Sequence, residues 1–393
     1  TEGIMALPQQ ATKHHLATAQ KLAALVAAEA DQIDCERQFS PELAASIADE
    51  GFFRLLVPKS LGGSELPHPE FLNILEVFAQ VDGSTGWCVN QNNVFATSSS
   101  VMPEEIAHQI WDESRAVVTN GPPMSNVKAI PVDGGYMLSG NWNFSSGSPH
   151  ATWIAALAPV GHQDQQMDAS LDRSGTRMML MPRKDVTFLD SWHVPGLRGT
   201  GSFSFELKDM FIPASRSYGP NVPARESGPL YAIPRTLLFA SGFATVALGV
   251  ARASLDMAMD LSGTKTPSRS RRLLRDQSTT HRLIGEGEAL WRSAKAFLRE
   301  SATAMWDSVC EDRSLSTETR IRLRLASTHA IQTAGQVTDI AYNLCGSSAI
   351  FEENPIQRRF QDIHVITQHV QGRPTHYETA GQFFLGVEPE GNF

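Results

Sequence analysis

The segment Leu237–Ala251, LLFASGFATVALGVA, is the longest apolar run in the chain and carries no charge. A bilayer span takes roughly 20 apolar residues, so this run of about 15, with Ser, Gly and Thr inside it, reads as a helix buried among other helices. The sequence around it agrees. Helical patterning extends over roughly 234–261, 281–310, 317–345 and 360–384, which predicts an antiparallel four-helix bundle occupying 227–393. A chain of 393 residues with only 19% charged residues has apolar surface for a large core and for a subunit interface.

The N-terminal part, 1–115, also reads as helical. Leu16, Ala19, Ala23, Val26 and Ala30 form one stripe. Ser40-Pro41-Glu42 is a cap, a first-turn proline and a first-turn acid, and Gly51 stops that helix. Phe71–Val81 is amphipathic, and Pro103-Glu104-Glu105 opens a helix running to Trp111. Between 116 and 226 the character changes. Asp133-Gly134-Gly135 lies between Ile130/Val132 and Tyr136/Leu138, a hairpin signal. Strands are expected at 151–160, 177–181, 186–188, 203–207 and 210–212, with 161–176 an exposed loop. The expected architecture is α+β: an N-terminal helical domain, a central β-barrel or sandwich, and a C-terminal helical bundle.

The formal net charge of −9 argues against nucleic acid as a partner, since phosphate binding needs a basic face. The four cysteines are scattered without a C-x-x-C, which fits a reducing compartment. No basic-then-apolar leader opens the sequence, so a cytoplasmic protein without membrane attachment is expected. Dinucleotide, Walker, H-E-x-x-H and G-x-S-x-G signatures are absent, and no histidine pair has metal-binding spacing, so no metal is expected.

Three segments have the composition of a site. Gly140–Ala151, GNWNFSSGSPHA, sets aromatic rings beside hydroxyls and glycines, as a flat ring ligand requires, although a β-turn over a buried Trp has the same composition. Gly196–Ser202, GLRGTGS, permits close backbone approach or a tight strand connection. Cys345–Ala349 and the helix after Pro355 carry His364 and His369, five apart and therefore poor joint metal ligands. Either histidine could serve as a general base or as a structural residue. The basic stretch 265–282 is a solvated face or a phosphate site.

Together these segments resemble the acyl-CoA dehydrogenase superfamily over nearly the whole chain. The resemblance is carried by the α–β–α order, Tyr136-x-Leu138-Ser139-Gly140, Leu197–Ser202, Asp209–Pro213 and Cys345 to Asp362. Within the superfamily, Gly83–Trp87, Trp142–Gly147, Gly196–Ser202 and Pro355–Arg358 followed by Asp362 and His369 look like the flavin-dependent monooxygenase branch. Its models are the oxygenase components of 3-hydroxy-seco-steroid hydroxylase and p-hydroxyphenylacetate hydroxylase. Dehydrogenases of the superfamily keep a catalytic carboxylate where this chain reads Gln368-His369-Val370.

The resemblance implies the oxygenase component of a two-component monooxygenase. A separate NAD(P)H-dependent reductase would supply reduced flavin, FMNH2 in preference to FADH2. With O2 the flavin would form a C4a-hydroperoxide that hydroxylates a small aromatic, phenolic substrate. His369 would deprotonate or orient the phenol, and Ser146 would meet the flavin N5 edge. Trp87, Thr119, Asn120, Gly121, Trp142, Phe144, Ser145, Ser347, Ser348 and Val370 would surround the flavin, with Arg282 (or Arg275) at its phosphate. Asn92, Asn93 and Phe95 would meet the substrate, and the chain would form a homotetramer. Three other readings are a dehydrogenase or oxidase with a displaced base, Glu378 being one candidate by nearness in sequence, an N- or S-oxygenase of the same fold, and a flavin-fold scaffold or binding protein without activity.

Overall fold

The computed structural model describes residues 6–161, 175–391 and 393. Residues 162–174, most of the expected loop, lie outside them. The N-terminal helices are α1 (Ala6–Glu36), α2 (Pro41–Asp49), α3 (His68–Val81), α4 (Gly83–Ala96) and α5 (Glu104–Trp111). The α2 cap forms as its sequence predicts. Ser40 Oγ accepts the Leu43 N–H at 3.1 Å, and Gly51 leaves the helix end with φ +75°.

Helix α4 has no counterpart among the expected elements, because GSTGWCVNQNNVFA has no apolar stripe. It is buried on nearly every face and packs against α3 and α6 (Arg235–Ser262). Asp82 caps it by accepting the Thr85 N–H and Oγ–H at 2.6 and 2.8 Å. Gly86 lets it approach α3, since a Cβ there would stand 2.9 Å from Ala79 Cα.

The middle of the chain forms β1 (Val118–Gly121), β2 (Lys128–Val132), β3 (Gly135–Trp142), β4 (Trp153–Pro159), β5 (Thr176–Pro182), β6 (Thr187–Leu189), β7 (Ser204–Pro213) and β8 (Ser217–Tyr218). These make two four-stranded sheets, ordered β1-β4-β5-β8 and β2-β3-β7-β6, with a shared core between them. The expected hairpin forms: Val132 pairs with Gly135, so Gly135 opens β3 and Asp133-Gly134 is a two-residue turn, with Gly134 at φ +76°. The two strands expected at 203–207 and 210–212 are one strand, β7. The interruption is a register shift opposite Leu138 and Gly140, with Asp209 at φ +47°.

The bundle consists of α6, α7 (Ser278–Asp312), α8 (Thr317–Cys345), α9 (Pro355–Thr367) and α10 (Thr375–Phe384). Most of the apolar window of α6, 83%, is buried inside the protein. The expected helix at 360–384 is a correction: it is broken into α9 and α10. Between them His369 is extended (φ −69°, ψ 149°) and Val370–Gly372 is a single 3-10 turn. Pro374 holds Arg373 extended, and Gly372 lies so close to Ile331 that a Cβ would stand 2.8 Å from its Cγ2. The polypeptide therefore leaves the helix where the bundle is too tight for a continuous one.

Candidate active site

Helices α4 and α6 bring Trp87 and Phe243 into a stack with ring centroids 3.8 Å apart. The His369 ring meets both edge-on, at 5.0 Å from Trp87 and 4.8 Å from Phe243. Phe239, one turn earlier on α6, stacks on Phe243 at 5.7 Å. His369 reaches this cluster from the extended residue at the break between α9 and α10. His364 remains on α9 and bonds Asp339 at 2.9 Å, so the two histidines separate in role.

His369 Nδ1 accepts a long hydrogen bond from the Gln371 N–H at 3.4 Å, which places the ring proton on Nε2. Nε2 has no partner among the described residues. Burial, with Arg373 adding to it, lowers the His369 pKa to about 4. At neutral pH the ring is therefore an uncharged imidazole with an available N–H.

Ser146 lies on the other side of Trp87. Its Oγ accepts the Trp87 Nε1–H at 3.1 Å and contacts Ser202 Oγ at 2.7 Å. Ser202 contacts Thr200 Oγ1 at 2.6 Å, and Thr200 donates to the Leu197 carbonyl at 2.8 Å. A carbonyl cannot donate, so the protons run one way: Trp87 to Ser146, Ser146 to Ser202, Ser202 to Thr200, Thr200 to Leu197. Ser146 keeps one lone pair free to accept. Thr119 fixes its backbone by donating to the Ser146 carbonyl at 2.5 Å. The Gly196–Ser202 segment is anchored from the bundle, where Asp362 Oδ1 accepts the Leu197 N–H at 2.6 Å. Burial and the nearby Asp82 raise the Asp362 pKa to about 7.

The residues between β3 and β4 fit a flat, polar-edged ring. Phe144 is 60% exposed and held at φ +55°, a left-handed conformation costly for a side chain of this size. Ser145 Oγ is fully buried without a partner. It faces Gly121, where any Cβ would run into it and the Asn143 carbonyl. Asn120 is oriented by Gln91, whose amide donates to it at 2.9 Å. An exposed ring face, an orphaned hydroxyl and a position open only to glycine form a cradle in which a flavin fits.

Other expected site residues are placed elsewhere. Trp142 is fully buried in the β-core, stacked on Phe205 at 4.9 Å and bonded to the Leu157 carbonyl, so it packs the sandwich and meets no ligand. Asn93 Nδ2 holds the Phe52 and Val89 carbonyls, and its Oδ1 accepts from Leu55. Asn92 is tied to the Val118 carbonyl and to His150, and Phe95 lies in the core beside α5. All three are at most 2% exposed, and their recorded polar partners and packing lie within the protein. Arg282 is exposed and pairs with Glu286 at 2.8 Å. Ser348 accepts from Lys265 at 2.9 Å, Ser347 is exposed, and Val370 is 45% exposed next to His369. No ring contact or hydrogen bond joins Arg282, Ser347 or Ser348 to the Trp87 cluster among the described residues. Sequence reasoning missed Phe239 and Phe243, hidden in a run where every residue is apolar. It also gave no role to Ser202, Thr200 and Asp362, which its motifs contain.

Residues 11–102 match the family model for the acyl-CoA dehydrogenase N-terminal domain, and residues 241–374 match that for the acyl-CoA dehydrogenase C-terminal domain. The chain is 28% identical to indole-3-acetate monooxygenase of Pseudomonas putida, over 91% of this chain and 90% of that one. It is 26% identical to the flavin-dependent monooxygenase oxygenase subunit HsaA of Mycobacterium tuberculosis, over 90% of each. The solved structure of XiaF from Streptomyces sp. in complex with FADH2 and glycerol superposes with a TM-score of 0.91, at 23% identity and over the full length of both chains. With these matches and with an imidazole in the helix break, the chain belongs to the acyl-CoA dehydrogenase superfamily, in its flavin-dependent monooxygenase branch.

Proposed function

We propose that the protein is the oxygenase component of a two-component system that hydroxylates an aromatic, phenolic substrate with reduced flavin and O2. The observation that carries this reading is His369, a neutral imidazole packed against Trp87 and Phe243 in the break between α9 and α10. Reduced flavin, once bound, supplies the electrons that activate O2. The chain's own groups do the rest. Phe144, Ser145, Gly121 and Asn120 hold the ring, and Trp87 and Phe243 keep water from it. Ser146 accepts a hydrogen bond with its free lone pair. A reduced flavin carries a proton on N5 and an oxidised one does not, so this polarity favours the reduced form. His369 Nε2–H donates to the phenol oxygen and orients the ring; as a base it would have to release its Gln371 contact.

The oxygenase-subunit name of HsaA supports a separate NAD(P)H-dependent reductase for this chain. FADH2 is named with XiaF, whereas FMNH2 is the preferred flavin in this reading. The four free cysteines suit a reducing, cytoplasmic setting. Among the described residues no carboxylate bonds the ring cluster, and Glu378, the candidate base of the dehydrogenase reading, is exposed on α10.

The test is oxygen consumption and product analysis with chemically reduced FMN and a panel of phenols and indoles. His369→Ala is expected to lower hydroxylation by about 10²–10⁴-fold while flavin binding persists. The wild-type kcat/KM profile should show no His369 inflection between pH 5.5 and 8, because the ring charges only near pH 4. Bleaching of bound flavin by an acyl-CoA thioester would sink the reading.

A further inference from the structure

Helix α8 grips the turn that follows His369 with three side chains. Arg324, Thr328 and Gln332 fall at i, i+4 and i+8 and so share one face of the helix. Arg324 Nη1 donates to Gln371 Oε1. Thr328 Oγ1 donates to the Gln371 carbonyl at 3.2 Å, and Gln332 Nε2 donates to the Gly372 carbonyl at 2.7 Å. Gln371 is the residue whose own N–H reaches His369 Nδ1. Arg324 has a second attachment, since its Nη2 donates to Thr236 Oγ1 at 2.7 Å. Thr236 lies in the first turn of α6, with Phe239 and Phe243 at i+3 and i+7 on the same face. One guanidinium therefore joins the turn beside His369 to the helix whose rings His369 meets.

This guanidinium sits in the bundle without an anion. Arg324 is 2% exposed, its Nε has no partner, and no carboxylate pairs with it among the described residues. Burial lowers its pKa to about 10, so it stays charged at neutral pH. A buried charge without a counter-charge costs stability, and an apolar side chain of similar volume is often neutral or stabilising in such a place. Packing of the bundle gives no reason for an arginine here, whereas its bonds to Gln371 and Thr236 do.

We infer that Arg324 is a positioning residue for His369, holding the Gln371 turn so that the imidazole keeps its proton on Nε2. The partner of one ring nitrogen decides which nitrogen carries the proton. With the Gln371 side chain and the Gln371 and Gly372 carbonyls all taken by α8, the Gln371 N–H is held against Nδ1. His369 is thereby kept as a donor toward the phenol and withheld from acting as a base through Nδ1. Arg324 itself touches neither flavin nor substrate. Its role rests on the hydroxylase reading of His369 and adds the group that sets that residue's tautomer and place.

The test has an activity arm and a spectroscopic arm. Arg324→Met should lower kcat by roughly 10- to 100-fold while FMN affinity is kept. Arg324→Lys should recover part of the loss. In a His369→Ala background, Arg324→Met should cost nothing further, because its effect passes through the imidazole; a merely structural role would cost the same in both backgrounds. Gln332→Met removes only the bond to Gly372 and should show the same pattern more weakly, which keeps the test open if Arg324→Met fails to fold. For the second arm, the flavin-free protein is labelled with 13C at histidine Cε1. The His369 resonance, identified by its loss in His369→Ala, should move in Arg324→Met and Gln332→Met, while those of His68 and His150 stay in place. An unmoved His369 resonance, wild-type turnover in Arg324→Met, or an equal loss in the His369→Ala background overturns the inference. A moved resonance in a protein that hydroxylates no substrate would keep the positioning role and overturn the hydroxylase reading instead.

Discussion

At the scale of single residues, the site is governed by proton direction. The Leu197 carbonyl can only accept, and that fixes every hydroxyl back to Ser146. Ser146 is therefore an acceptor at its open side, and in the proposed reading it would discriminate between flavin redox states. Ser202→Ala removes the acceptor for the Ser146 proton and frees it to donate. A hydrogen bond contributes about 0.5–1.5 kcal/mol net, so the preference for FMNH2 over FMN should fall by roughly two- to tenfold in this variant. Equilibrium binding of FMN and of anaerobically reduced FMN to both proteins measures the ratio. An unchanged ratio would show that Ser146 does not read the N5 edge. The neighbouring Trp87 indole, held by Ser146 and stacked on Phe243, should keep its place in both proteins, which near-ultraviolet circular dichroism reports.

At the scale of elements, regular periodicity was legible and its interruptions were not. The cap at Ser40, the Asp133-Gly134 hairpin and the burial of α6 follow from local patterns that the sequence displays. Helix α4 escaped because burial on all faces leaves no stripe, and polar residues such as Asn93 occur there as internal hydrogen-bond hubs. The α9–α10 break escaped because its cause is tertiary: Gly372 has no room beside Ile331 on another helix. The residues alone offered His364 and His369 equally, the family resemblance chose His369, and its ring contacts with Phe243 required the fold. Asp362 shows how elements communicate, since a carboxylate on α9 holds the β-domain loop at Leu197. Its folded pKa of about 7 lies above the ordinary value of 3.8, so the folded state binds the proton more tightly. Stability from this group is therefore present at low pH and declines as pH rises from about 4 to 7. Asp362→Asn keeps an acceptor for the Leu197 N–H and never ionises. Denaturant unfolding should show the variant gaining on the wild type between pH 5 and pH 8; a gap independent of pH would contradict this assignment.

At the scale of the whole molecule, exposed large apolar residues are scattered over the N-terminal and β regions but are densest in the sequence between 350 and 387. Ile350 (63%), Phe351 (55%), Phe384 (66%), Leu385 (82%) and Val387 (54%) all fall within the last part of the bundle, on either side of His369. Isolated exposed apolar residues are ordinary, but a concentration of large ones marks an interaction surface. Just before this stretch lie Ser347 and Ser348, which among the described residues have no hydrogen bond to the ring cluster of their own chain. A homotetramer built on this surface would bury the apolar residues and allow one copy to supply the serines to a flavin cradle on another. Light scattering coupled to size exclusion should then give a tetramer for the wild type. Phe384→Asp with Leu385→Asp should give smaller species, because each charge would have to be buried at the interface without a partner. Both positions are exposed in the single chain, so helical content and the unfolding midpoint of the isolated protomer should change little. Flavin affinity should fall along with assembly if the serines act across subunits. A wild-type monomer, or a double variant that stays tetrameric, would place the interface elsewhere; a dissociated variant that binds flavin as tightly as the wild type would leave Ser347 and Ser348 outside the cofactor site.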